Sequence, residues 1–132
     1  MKFHHIGIFV SDIKIGREYL VKLLPFKKFS KIYNDKNLGV SVQFLEDDSK
    51  IVFEIVAPFS KPNPTENVLK SGKNILNHVA YMTKDFDNIC KAFRNEGAIP
   101  LCEPKKALAF NNNRIIFFLT NLKFIIEIIE DK

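Results

Sequence analysis

The sequence of 132 residues is poor in the residue types that are typical of disulfide-rich, fibrous or disordered proteins. It has 2 cysteines, 5 glycines, 6 prolines and no tryptophan. Cys90 and Cys102 stand at no zinc-like spacing, which indicates a reducing compartment and no structural disulfide. Because glycine and proline are scarce and 46% of the residues are hydrophobic, the composition excludes a disordered or collagen-like chain. It predicts one compact domain with its own core.

Long apolar runs and long basic runs are missing too. No stretch approaches the roughly 20 apolar residues of a membrane span, and the chain enters a strand-like pattern at Phe3 without an apolar signal region. The net charge of +5 comes from scattered lysines, so it predicts no nucleic-acid-binding tail. A glycine-rich phosphate loop is also absent. We therefore expect a soluble cytoplasmic protein that binds neither nucleic acid nor membrane.

The order of strand-like and helix-like segments is the same in both halves of the chain. Period-2 and period-3.6 patterns, with turn residues between them, define these segments. In the first half we expect a strand over Phe3–Val10, a helix from Ile13 to Leu24 that begins at Asp12, and extended segments at Phe26–Tyr33, Val40–Leu45 and Ile51–Val56. In the second half we expect a strand over Asn77–Met82, a helix over Lys84–Glu96 with Phe86, Ile89, Cys90 and Phe93 inward, and short strands at Ile99–Leu101, Ala107–Phe110, Arg114–Leu119 and Phe124–Ile129.

A single offset relates the two halves. Four residue pairs are each separated by 73 positions, namely His5 and His78, Asp12 and Asp85, Phe44 and Phe117, and Glu54 and Glu127. The repeat predicts a duplicated βαβββ module. We place the first module at about residues 1–60, a proline-containing connector with a short helix over Thr65–Lys70 at about 58–73, and the second module at about 74–132 of a single domain.

Glu54 and Glu127 are the anomalous residues of this pattern. Each interrupts an otherwise apolar strand, as in the run from Ile125 to Ile129. A carboxylate in that position is at least partly buried and needs a compensating positive group. The alternatives are that each strand is amphipathic with its glutamate facing water, or that the glutamate pairs with a lysine or arginine.

His5 and His78 add a second matched pair. Each is followed two residues later by a small residue on the same strand face, Gly7 or Ala80, which leaves room beside the imidazole. A hydrogen-bonded core histidine is the alternative. Two neutral imidazoles and two carboxylates carry a charge of −2, which matches a divalent cation. A mixed nitrogen and oxygen set suits Ni, Co, Zn, Mn or Fe better than Ca or Mg.

The remaining candidate residues are weaker. We expect the side chain of His4 to point away from His5, Gln43 to be a surface or supporting amide, and Glu130 to be solvated. Cys90 is expected in the core, without a nucleophilic role. The surface cations Lys105, Lys106 and Arg114 are either solvated or available to a phosphate or carboxylate.

The sequence resembles the vicinal oxygen chelate superfamily, which includes glyoxalase I, methylmalonyl-CoA epimerase, extradiol dioxygenases and antibiotic resistance proteins. The matching stretches are residues 4–10 with Asp12, residues 53–58, residues 77–81 and residues 125–130. The resemblance implies an α+β fold in which two βαβββ modules form a curved mixed sheet around a metal. It assigns His5, Glu54, His78 and Glu127 as ligands of one divalent transition metal.

The same resemblance implies an enzyme of the epimerase-like or glyoxalase-like branch. Such an enzyme abstracts a proton α to a carbonyl or thioester, with Glu127 as the main base. The repeat itself, which relates Glu54 to Glu127, predicts Glu54 as a second catalytic carboxylate. The expected substrate is an acyl-thioester or a thiol adduct, and the expected assembly is a homodimer. There are two alternatives. One is a glyoxalase I-type lyase that acts on a glutathione hemithioacetal, and the other is a non-catalytic small-molecule-binding protein of the resistance type.

Overall fold

The computed structural model describes residues 1–60 and 65–132, so Pro62 and Pro64 of the expected connector lie outside the described residues. In these ranges the chain forms ten strands, three helices and a 3-10 turn. In chain order they are β1 (Lys2–Phe9), α1 (Ile13–Leu23), β2 (Phe26–Phe29), β3 (Tyr33–Asp35), β4 (Val40–Asp47), β5 (Val52–Pro58), α2 (Thr65–Ser71), β6 (Leu76–Thr83), α3 (Phe86–Asn95), β7 (Ile99–Pro100), β8 (Lys105–Ala107), the 3-10 turn (Leu108–Phe110), β9 (Asn113–Leu119) and β10 (Ile125–Glu130).

The first set of strands is arranged around β5. Strand β1 runs parallel to β5, and β4 runs antiparallel on the other side of β5. Strands β2 and β3 both pair antiparallel with β4. Parallel strands need a long connection, and the chain between β1 and β5 contains α1 and β2–β4. The antiparallel strands β4 and β5 are joined by a short polar turn.

The second set repeats this arrangement around β10. Strand β6 runs parallel to β10, β9 runs antiparallel to it, and β7 and β8 pair with β9. The offset of 73 residues holds at the level of single pairs. Gly7 and Phe44 lie opposite Glu54, and Ala80 and Phe117 lie opposite Glu127. The mixed α+β class and the duplicated βαβββ order are therefore confirmed.

Contacts group the chain into two compact units, one of residues 5–77 and one of residues 1–4 with 78–132. Each unit has an apolar core under its own helix. In the first unit the core is built from Ile13, Phe26, Leu45, Ile55 and Ala57. In the second unit it is built from Phe86, Cys90, Ile116, Phe118 and Ile128. The inward face that was predicted for α3 is confirmed. The division into modules at about residues 60 and 74 of one domain stays a prediction.

Helix ends follow the local sequence signals. The Asp12 carboxylate accepts a hydrogen bond from the backbone N–H of Ile15, so Asp12 caps α1 as expected. Helix α3 is followed by Gly97, whose φ of +90° is in the left-handed region that favours glycine. A Cβ at Gly97 would come within 2.8 Å of the Asn121 side chain, so another residue there would have to displace that amide as well as strain the backbone. No helix within residues 1–60 and 65–132 is long and apolar enough to cross a bilayer.

The strand expected over Ala107–Phe110 is wrong. Strand β8 ends at Ala107, which pairs with Asn113, and Leu108–Phe110 form a 3-10 turn. Because the chain must reverse between these paired residues, Asn111 and Asn112 take left-handed φ angles of 55° and 60°. The apolar side chain of Phe110 in this turn is buried.

Candidate metal centre

The first histidine and glutamate pair lies on two parallel strands. His5 on β1 is 0% exposed and Glu54 on β5 is 5% exposed. The Nε2 atom of His5 lies 3.4 Å from the Oε1 atom of Glu54. Gly7 stands opposite Glu54 in the parallel pairing, so no side chain projects from that position.

The second pair repeats the first. His78 on β6 is 5% exposed and Glu127 on β10 is 2% exposed. The Nε2 atom of His78 lies 3.3 Å from the Oε2 atom of Glu127, and the small residue Ala80 stands opposite Glu127. Two different sequence segments therefore build the same pair of histidine and glutamate side chains.

An aromatic ring lies against each imidazole. The rings of His5 and Phe44 have centroids 5.6 Å apart, and those of His78 and Phe117 have centroids 5.2 Å apart. Both phenylalanines lie on the strand next to the glutamate, directly opposite it. The sequence showed them as a matched pair at the 73-residue offset but gave them no role. Each ring restricts the rotation of its imidazole and keeps water from one side of it.

The structure brings together the four residues that the sequence singled out. One donor atom from each of His5, Glu54, His78 and Glu127 lies within 4.8 Å of the other three. Donors that each sit about 2.1 Å from an ion are about 3 Å apart when adjacent and about 4.2 Å apart when opposite. The distances within the pairs are 3.4 and 3.3 Å and all four donor atoms lie within 4.8 Å, so this is a group that could hold one metal ion.

The burial of the two glutamates removes one of the alternatives for them. An amphipathic strand with its glutamate facing water is wrong for both, since Glu54 and Glu127 are nearly inaccessible. Two ionised carboxylates this close together and out of water require positive charge beside them. A divalent cation held by the four residues would supply that charge.

Three other candidates have different roles from this group. His4 turns away from His5, as expected, and its ring packs edge-on against Phe110 at 5.3 Å. The thiol of Cys90 is in the core, and burial raises its pKa, which disfavours a nucleophilic thiolate.

Gln43 is not a surface residue. It is buried, accepts a hydrogen bond from Arg17 at 2.8 Å and donates one to the Ser30 carbonyl at 2.8 Å.

The expectation of a solvated Glu130 is wrong. Its carboxylate is buried and accepts hydrogen bonds from the Arg114 guanidinium at 2.7 and 3.1 Å and from the Arg114 backbone N–H at 3.1 Å. These bonds to Arg114 lower the pKa of Glu130 to about 2. Arg114 also binds both carboxylate oxygens of Asp87 and lies over the Phe86 ring at 4.5 Å. Arg114 therefore joins α3 to the sheet.

Comparisons with known proteins agree with this geometry. Structures of similar fold include a hypothetical protein from Bacillus halodurans C-125, with 22% identity, a TM-score of 0.83 and coverage of 99% of this chain and 94% of that one. Methylmalonyl-CoA epimerase from Mycobacterium tuberculosis has 21% identity, a TM-score of 0.80 and coverage of 99% and 88%. A mutant glyoxalase I from Zea mays has 16% identity, a TM-score of 0.65 and coverage of 99% and 44%.

These identities establish a shared fold, and this chain spans less than half of the maize protein. No curated protein matches the chain significantly. One family model matches residues 4–117, which include both histidines, Glu54 and both phenylalanines of the centre. Because this model matches most of the chain, the chain belongs to the Glyoxalase/Bleomycin resistance protein/Dioxygenase superfamily.

Proposed function

We propose that this protein is a metal-dependent isomerase or lyase that abstracts a proton α to a carbonyl or thioester. The observation that carries the proposal is the buried set of two identical histidine and glutamate pairs, whose four donor atoms lie within 4.8 Å of one another. His5, Glu54, His78 and Glu127 would hold one Ni, Co, Zn, Mn or Fe ion. Four protein ligands leave two positions of an octahedral ion for substrate oxygens.

The chemistry divides between the ion and the side chains. A divalent ion, when bound, stabilises the negative charge that develops on a carbonyl oxygen as the neighbouring C–H bond breaks. Glu127 is the group we propose to take the proton, and Glu54 is the related carboxylate that can return or take one. His5 and His78 stay neutral, and Phe44 and Phe117 hold their imidazoles in place.

Two glutamates related by the repeat favour an epimerase. Inversion at carbon requires one group to remove a proton from one face and another to return a proton to the opposite face. The structural similarity to methylmalonyl-CoA epimerase supports an acyl-thioester as the substrate. The similarity to glyoxalase I supports a thiol adduct as the alternative, for which one principal base is sufficient. In a resistance-type binding protein, a complete four-residue set would have no catalytic purpose.

The decisive experiment combines metal analysis with proton exchange. Metal-loaded protein is incubated in deuterated water with a panel of acyl-CoA thioesters and glutathione hemithioacetals, and deuterium at the α carbon is followed by NMR. We expect exchange with one class only, together with one metal ion per chain by elemental analysis. His5→Ala and His78→Ala should lose the ion, whereas the neighbouring substitution His4→Ala should keep it. Metal uptake that is unchanged in His5→Ala and His78→Ala would refute the site. Metal binding without exchange on any substrate would refute the proposed activity.

A further inference from the structure

An apolar surface lies on the strand face that carries Glu127. Directly opposite residues of antiparallel strands share a face, and so do residues two positions apart along one strand. Ile125, two residues before Glu127, pairs with Leu119. Leu119 pairs in turn with Ile99 on β7, and Leu101 follows Ile99 by two positions. We call these four residues the apolar platform: Ile99, Leu101, Leu119 and Ile125.

Burial supports this assignment of faces. Ala98 and Cys102 alternate with the platform residues of the same segment, and both pack against the core under α3. Ile99 and Leu101 are instead 60% and 49% exposed. A group of exposed aliphatic side chains on one sheet face is typical of a surface that binds a ligand. The platform therefore presents its side chains away from the core of the second unit.

The platform is continuous with the second glutamate of the candidate metal centre. Phe117 lies directly opposite Glu127, and the Leu101 N–H donates a hydrogen bond to the Phe117 carbonyl at 2.8 Å. These three residues therefore lie side by side on neighbouring segments of the sheet. Because neighbouring strands are about 4.8 Å apart, the platform extends about 10 Å across the sheet from Glu127. A substrate that reacts at Glu127 reaches the platform with a substituent of several carbon atoms.

The first unit shows that the fold does not require apolar residues in these places. Glu46 precedes Leu119 by 73 positions, and it lies opposite Lys28. These two side chains form an ion pair at 3.8 Å. Ser30 has the place of Leu101, because its N–H donates to the carbonyl of the matching phenylalanine. The same surface is thus polar in the first unit, so its apolar character in the second unit points to a ligand.

From this contrast we propose that the substrate carries an aliphatic group on its reacting carbon, and that the apolar platform binds this group. The inference rests on the proposed function and narrows its substrate class to thioesters of aliphatic acids. The four platform residues carry no charge and no polar side-chain atom. A carboxylate bound on the platform would lose its hydration without gaining a partner there, which is unfavourable.

A cation on the same face defines the competing substrate class. Lys105 pairs with Ile115, which precedes Phe117 by two residues and so shares its face. Ile99 and Leu119 lie beyond Phe117 in the other direction along the sheet. A substrate carboxylate would therefore bind towards Lys105 and an aliphatic group towards the platform, so substitutions separate the two classes.

Binding of a thioester series to the metal-loaded protein tests the proposal independently of turnover. Isothermal titration gives the dissociation constants of acetyl-, butyryl-, hexanoyl- and octanoyl-CoA, with malonyl-CoA as the charged probe. We expect the dissociation constant to fall by about 2- to 4-fold for each added methylene group. Malonyl-CoA should bind more weakly than butyryl-CoA. The same acyl series on N-acetylcysteamine tests a carrier other than coenzyme A.

Residues of the first unit supply the matched substitutions. Leu101→Ser introduces the residue found at Ser30 and should weaken octanoyl-CoA binding by about 5- to 10-fold, with little effect on acetyl-CoA. Ile99→Lys introduces the residue found at Lys28 and should shift the preference towards malonyl-CoA. Leu122→Ser is the control, because Leu122 is 82% exposed in the turn between β9 and β10 and is not part of the platform. Thermal unfolding checks that the variants are folded.

Several results would overturn the proposal. Dissociation constants that do not depend on chain length would do so, as would a dependence that neither Leu101→Ser nor Ile99→Lys reduces. A preference for malonyl-CoA that is lost in Lys105→Ala, or no binding by any thioester of either carrier, would also overturn it. Proton exchange without a dependence on chain length would remove the platform and leave the proposed function standing. Binding that depends on chain length, without exchange, would do the reverse.

Discussion

At the scale of single residues, the two glutamates of the metal centre are chemically alike but are expected to differ in effect. An amide oxygen still coordinates a metal but cannot accept a proton as a base. We therefore expect Glu127→Gln to keep most of the metal affinity and to lose roughly 10²-fold or more of α-proton exchange. Isothermal titration with the metal and NMR measurement of deuterium exchange separate the two effects.

The comparison with Glu54→Gln then distinguishes the two reactions. For an epimerase we expect losses of similar size in both variants, because each glutamate acts on one face of the carbon. For a glyoxalase-type lyase we expect Glu54→Gln to be much the milder substitution. Exchange that is unchanged in Glu127→Gln would contradict the proposed role of this residue.

Phe44 and Phe117 allow a matched test of the imidazole contacts. Replacing either ring by leucine keeps an apolar side chain but removes an aromatic contact worth about 0.5–1.5 kcal/mol. We expect metal affinity to fall by about 2- to 10-fold in each of Phe44→Leu and Phe117→Leu, because the imidazole must then be ordered by the metal. Phe93→Leu, on the core side of α3, serves as a control, and it should lower stability without changing metal affinity.

At the scale of elements, Arg114 and Glu130 join helix α3 to the second set of strands. Because the pKa of Glu130 is lowered from 4.5 to about 2 in the folded protein, its ionised form favours folding. That contribution is fully present above about pH 4.5 and is lost as the pH falls towards about 2.

We therefore expect Glu130→Gln to lower the free energy of unfolding by about 1–2 kcal/mol at pH 7. The difference from wild type should shrink as the pH is lowered from 4.5 to 2. Urea unfolding at pH 7, 4 and 2.5 measures this dependence. Glu103→Gln, which removes an exposed carboxylate, is the control and should have a small effect at every pH. A constant difference for Glu130→Gln across the range would mean that the Arg114 pair does not stabilise the fold.

Local sequence patterns predicted most of the helices and strands but not the side-chain contacts between them. Strand alternation and the inward face at Phe86 and Cys90 are properties of neighbouring residues, so they could be read from the sequence. The partners of Arg114 could not, because Glu130 and Asp87 lie 16 and 27 positions away along the chain. The 3-10 turn at Leu108–Phe110 was missed for a similar reason. Phe110 is buried whereas Leu108 is exposed, and an apolar run of this length resembles a strand when it is read alone.

At the scale of the whole molecule, the metal should contribute to stability as well as to catalysis. An ion that binds only the folded state adds about 2.7 kcal/mol when its concentration is 100 times its dissociation constant. For a chain of this size we expect the unfolding temperature to rise by roughly 10 °C on metal addition and to fall again with a chelator. Differential scanning calorimetry checks this. The shift should vanish in His78→Ala and persist in His4→Ala, and an equal shift in both variants would place the ion elsewhere.

The sequence by itself determined the repeat and singled out the four residues of the candidate metal centre. Those features are visible because one offset of 73 residues relates His5 to His78 and Glu54 to Glu127, and a duplicated pattern does not depend on three-dimensional contacts. The β-strand period of two also placed each histidine on the same face as its small neighbour.

Only the tertiary structure decided which polar side chains are buried. Glu54, Glu127, Glu130 and Gln43 all interrupt apolar strands, and the strand pattern treats them alike. Their different environments come from residues far away in sequence: imidazoles for Glu54 and Glu127, a guanidinium for Glu130, and Arg17 and Ser30 for Gln43. Burial and charge depend on which segments pack together in space. That packing decides that Glu54 and Glu127 lie beside histidines in the candidate metal centre, whereas Glu130 pairs with Arg114.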